Sequence, residues 1–72
     1  MDCTVVIFLK GASDGHVFYN VSNEDASRLK TVWSTSVNSS KPAILLDIVF
    51  HSDMGETSVL LSEIAAITVK KN

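Results

Sequence analysis

Hydrophobic positions in this chain come in short runs divided by turn residues, and the spacing within each run changes along the sequence. Residues 4–10 are mostly β-branched and aromatic, and Gly11-Ala12-Ser13-Asp14-Gly15 follows as a turn. Residues 16–21 then alternate, with Val17, Tyr19 and Val21 on one side and His16, Phe18 and Asn20 on the other. This period of two predicts a returning strand and a first β-hairpin. Ser22 next offers a hydroxyl at a helix N-cap, with Asp25 three residues on to complete a reciprocal cap, and Glu24 and Asp25 suit the positive end of the helix dipole. Ala26, Leu29, Val32 and Trp33 recur at helical spacing, predicting one amphipathic helix over 23–35 that weakens at Ser34-Thr35-Ser36. From 43 to 50, seven of eight residues are hydrophobic, bounded by Pro42 and by the turn Ser52-Asp53-Met54-Gly55. That pattern predicts a strand over 43–51, returned antiparallel by a strand over 56–61 in a second hairpin, with 64–69 either continuing that strand or forming a fifth after a bend near Ser62 and Glu63. The whole is a single α+β domain over 1–72, β-β-α-β-β(-β), with a mainly antiparallel sheet.

Sorting the strands by parity places Val5, Ile7, Leu9, Val17, Tyr19, Ile44, Leu46, Ile48 and Phe50 on one face, and Val6, Phe8, Phe18, Leu45 and Val49 on the other. Both faces are apolar, yet one helix about 10 Å wide covers only one face of a sheet whose strands lie about 4.8 Å apart. The second face needs its own cover: barrel closure, a second copy, or a partner or apolar ligand. A homo-oligomer is expected, because so small a chain gains most from sharing a core. The candidate binding residues are therefore Phe8, Phe18, Leu45, Asp47 and Val49, with Trp33 on the helix as a core residue whose indole N–H also suits an interface. Asp47 is the one charge in the most apolar strand, which makes it an edge charge or a polar anchor.

Composition narrows the function classes. In 72 residues, six Lys or Arg stand against eight Asp or Glu, a net charge of −2. Nucleic acid is disfavoured, because its binding draws on clustered basic residues, and here the only basic pair is Lys70 and Lys71. The single Cys3 cannot form an internal disulfide, which points to a reducing compartment and a small buried hydrophobe. The N-terminal stretch lacks the basic start and long apolar run of a signal peptide, and no segment reaches membrane-spanning length, so a cytoplasmic location is expected with no membrane association.

Chemistry is sparse. Asp14-x-His16 and His51-x-Asp53 look like paired metal ligands or acid–base groups. The element order sets His16 and His51 at opposite ends of the domain, however, so they meet only across a subunit boundary. Ser13, Asp14 and His16 are too close in sequence to converge as a triad, and Gly11–Gly15 leads into a strand instead of a phosphate-binding helix. No catalytic residue, metal or cofactor is assigned. The expected function is a non-enzymatic interaction module of the regulator, inhibitor or immunity type, acting through another protein as a homo-oligomer. An alternative is a small-ligand binder with pockets between subunits, anchored by Asp47, His16 or His51. A third reading arises at Leu61-Ser62-Glu63-Ile64-Ala65-Ala66-Ile67, which is similar to the last strands of Sm-like barrels and would imply nucleic-acid binding, although that family's basic charge and glycine pattern are missing.

Overall fold

A computed structural model describes residues 2–38 and 47–71. Its elements are β1 (Asp2–Leu9), β2 (His16–Ser22), α1 (Asn23–Asn38), β3 (Asp47–Ser52), β4 (Gly55–Leu60), a 3₁₀ turn (Leu61–Glu63) and β5 (Ile64–Lys71). The α+β class and the expected order hold, with the fifth strand present. β5 does not extend the second hairpin. The 3₁₀ turn, at the predicted bend, carries the chain back to the first hairpin, where β5 pairs antiparallel with β1. The strands therefore form a three-stranded sheet, β2-β1-β5, and a separate β3-β4 hairpin. The predicted third strand began at 43, and Ile44, Leu45 and Leu46 lie outside the described residues.

One core joins the layers. Cys3, Val5 and Ile7 of β1 and Phe18 and Val21 of β2 are buried against Ala26 and Leu29 of α1 and Ile48 and Phe50 of β3, with Leu61 and Ile64 closing the cluster. The Phe18 and Phe50 rings meet edge to face, with centroids 4.9 Å apart at 86°, a geometry that adds about 0.5–1.5 kcal/mol to the area they bury.

Parity fails in β2. Strict alternation puts Val17 and Tyr19 inward and Phe18 outward, whereas Phe18 is buried and Val17 and Tyr19 are exposed. The cause is a β-bulge: Cys3 pairs with Val21 but Val5 pairs with Phe18, so one residue of β1 spans two of β2, Tyr19 and Asn20. Asn20 takes a left-handed φ of 58°, which asparagine tolerates better than most residues, and the extra residue lets Phe18 and Val21 face the same way although they are three apart. A second shift, from the Phe8–Ala66 pair to the Leu9–Ile64 pair, leaves Ala65 as the extra residue in β5.

The helix begins as expected, with Ser22 Oγ accepting a hydrogen bond from the Asp25 amide at 3.1 Å. The reciprocal half of the cap does not form, because the Asp25 carboxylate is engaged by Arg28 and β3. The helix also runs past 35 to Asn38. Thr35 Oγ1 donates to the Thr31 carbonyl at 2.8 Å, so this hydroxyl bonds within the helix and does not end it. Its buried stripe is Ala26 and Leu29, continued by half-buried Trp33, while Val32 is exposed at the margin.

Two glycines shape the hairpins. Gly55 turns from β3 into β4 with φ +95°, where a side chain would be strained. Gly15 matters for space: a Cβ there would stand 2.6 Å from Val6 Cγ1 and 2.8 Å from Phe8 Cε1. Gly15→Ala should cost about 1 kcal/mol, the low end of overpacking because the atoms it meets belong to side chains. Urea titration reads this as a lower midpoint at unchanged slope; an unchanged midpoint would mean that Val6 and Phe8 move aside freely.

Candidate functional site

The helix and the β3-β4 hairpin pack on one face of the three-stranded sheet, and the other face carries Val6 and Phe8 of β1 and Val17 and Tyr19 of β2. Val6 pairs directly with Val17. Val6 and Phe8 are half-buried, whereas Val17 and Tyr19 are 41% and 54% exposed. Part of Phe8's cover is the Gly15 backbone, which has no side chain to displace the ring. Phe8 thus lies on the second face as expected. Phe18 does not, for the reason given by the bulge, and Val17 and Tyr19 take its place. The only sequence signal for the exchange is Asn20, a residue suited to positive φ inside a strand.

The remaining candidates separate. Asp47 is exposed at the start of β3 and accepts a hydrogen bond from Ser58 Oγ of β4 at 2.9 Å, so it is partnered within its own hairpin. Val49, half-buried, belongs to the same strand, and its carbonyl accepts from Arg28 Nη2 at 2.5 Å. Trp33 packs against the core and donates its indole N–H to the Ile64 carbonyl at 3.2 Å, at the β5 bulge. Leu45 lies outside the described residues.

A contact that sequence reading missed joins α1 to the edge of β3. Asp25 Oδ1 accepts from Arg28 Nη2 at 3.2 Å, and Asp25 Oδ2 accepts from the His51 amide at 3.2 Å. With Arg28 on the Val49 carbonyl, the two side chains satisfy a donor and an acceptor of the strand, much as a neighbouring strand would. Partial burial pushes the Asp25 carboxyl upward, but the His51 amide and the Arg28 guanidinium together outweigh it and hold the group below its ordinary 3.8.

Between the two sheets lies a cleft of about 400 Å³ with walls of Ile7, Leu9, Phe18, Val59 and Leu60, and with His16, Ser58 and Glu63 also lining it. His51 is elsewhere, opposite Glu56 in the hairpin, while His16 pairs with Ile7 in the three-stranded sheet. Among the described residues no group of three or more His, Cys, Asp or Glu is placed to hold a metal ion. Cys3 is buried, its thiol 3.7 Å from Asn23 Oδ1. Among the described residues no helix is long and apolar enough to cross a membrane. No protein-family model, curated protein or solved structure matches the chain.

Proposed function

We propose that this chain is a non-enzymatic interaction module that assembles with copies of itself, docking by the outer face of the three-stranded sheet. The observation that carries the reading is the exposure of Val17 and Tyr19 beside Val6 and Phe8, on the face opposite the helix and hairpin. Two such faces stacked about 10 Å apart would interdigitate those side chains, removing apolar surface from water at about 25 cal/mol per Å². Light scattering over a dilution series tests it. The natural chain should give a multiple of the single-chain mass, and Val17→Asp, at an exposed position, should lower that mass while leaving the circular dichroism unchanged. Identical masses for the two chains would exclude the outer face as the docking surface.

The inter-sheet cleft favours a second reading, a small-ligand binder. Its apolar walls, with a few polar groups among them, are the usual makeup of a ligand pocket, and its volume falls in the small-molecule range. A small apolar molecule bound there would raise the thermal midpoint in proportion to the logarithm of its concentration.

A further inference from the structure

The cleft between the two sheets has apolar walls and polar groups that mostly accept. Ile7 and Phe18 line it from the core, and Leu9, Val59 and Leu60 line it nearer the surface. Its polar residues come from three elements, His16 from β2, Ser58 from β4 and Glu63 from the 3₁₀ turn. All three are exposed, so a bound molecule can reach them.

Their hydrogen-bonding capacity is unbalanced. The Ser58 hydroxyl already donates its proton to Asp47 at 2.9 Å, which leaves only lone pairs to offer the cleft. An ionised Glu63 accepts and cannot donate, and a neutral His16 adds one acceptor and one donor. Charge leans the same way. Asp47 stands opposite Leu60 in the hairpin, which brings a second carboxylate to this side. Lys10 meets Glu63 through the backbone, its amide donating to the Glu63 carbonyl at 2.8 Å, but their side chains form no ion pair. Among the described residues the one ion pair joins Arg28 to Asp25, and the Glu63 carboxylate has no cationic partner.

We infer that the cleft takes a small primary amine with an apolar body, its hydrocarbon part between the walls and its ammonium against the Glu63 carboxylate. An ammonium carries three donors, no acceptor and a positive charge, the complement of this lining. A carboxylate ligand would meet Glu63 as a like charge, and an alcohol would forgo the ion pair. The walls supply most of the affinity and Glu63 sets the choice of head group, because an exposed ion pair contributes little by itself. A volume of about 400 Å³ lies toward the low end for ligand pockets, which suits one ring on a short chain.

The assignment rests on the small-ligand reading of the cleft, and three probes separate the two. Phenethylamine, phenethyl alcohol and phenylacetate share an aromatic body and differ in the charge of the head. In NMR titrations at neutral pH and low salt, the amine should bind about two- to five-fold more tightly than the alcohol, and the carboxylate more weakly than either. The shifted amides should include Leu9, Val59 and Leu60, and added salt should narrow the preference. Glu63→Gln, at an exposed position, should bind amine and alcohol alike, and Glu63→Lys should favour the carboxylate. If the three probes bind equally, or Glu63→Gln keeps the preference for the amine, the ammonium assignment falls and the ligand cleft stands. If no probe shifts these amides, both fall.

Discussion

Phe50→Ala should remove most of the stability of this domain. Phe50 is fully buried and its ring meets Phe18 edge to face, between the hairpin and the three-stranded sheet. Truncating a buried phenylalanine costs about 3–5 kcal/mol, part as lost transfer energy and part as the cavity left behind. At roughly 0.05–0.15 kcal/mol per residue, the whole chain holds only about 4–11 kcal/mol. The variant should therefore unfold in far less urea, with a thermal midpoint lowered by about 4–8 °C for each kcal/mol lost. Phe50→Leu, which keeps much of the volume, should lose distinctly less. A Phe50→Ala midpoint no lower than that of Val17→Asp would contradict the central place of this ring.

Asp25→Ala should show the second largest effect, about 2 kcal/mol at neutral pH. The substitution leaves the His51 amide without its charged acceptor, and hydrogen bonds to charged groups are worth about 1.5–3 kcal/mol. It also frees Arg28 and takes a carboxylate from the first helical turn, and both of these exposed contributions are small. The pH dependence has a definite sign. Asp25 has a lower pKa folded than unfolded, so its contribution is fully present above the unfolded value, near 3.8, and is lost as pH falls through the folded value. The gap in stability between the natural chain and Asp25→Ala should be constant from neutral pH down to about pH 5 and shrink below pH 4. A gap that widens in acid would mean that the carboxylate is not held by the His51 amide and Arg28.

The candidate site was legible in part. Phe8 reads correctly as a second-face residue because β1 alternates regularly from Cys3 to Phe8, and Trp33 reads correctly as part of the helical stripe. Phe18 was misplaced because period-two reasoning assumes one residue per position on each strand, and the extra residue at Asn20 breaks that count. Asp47 could be named but not partnered, since Ser58 reaches it only once β3 and β4 are in register.

Turn residues, the Ser22 cap and the change of period from two to helical spacing determined the kinds of element and their order. Each depends on residues a few positions apart, so the chain carries that information locally. Tertiary structure alone decided that β5 joins β1 instead of prolonging the second hairpin, that the bulge turns Phe18 inward, and that Asp25 and Arg28 close the edge of β3. The Asp25–His51 contact spans 26 residues and the Trp33–Ile64 contact 31. Such contacts are fixed by strand register and packing across the core, which no local pattern encodes.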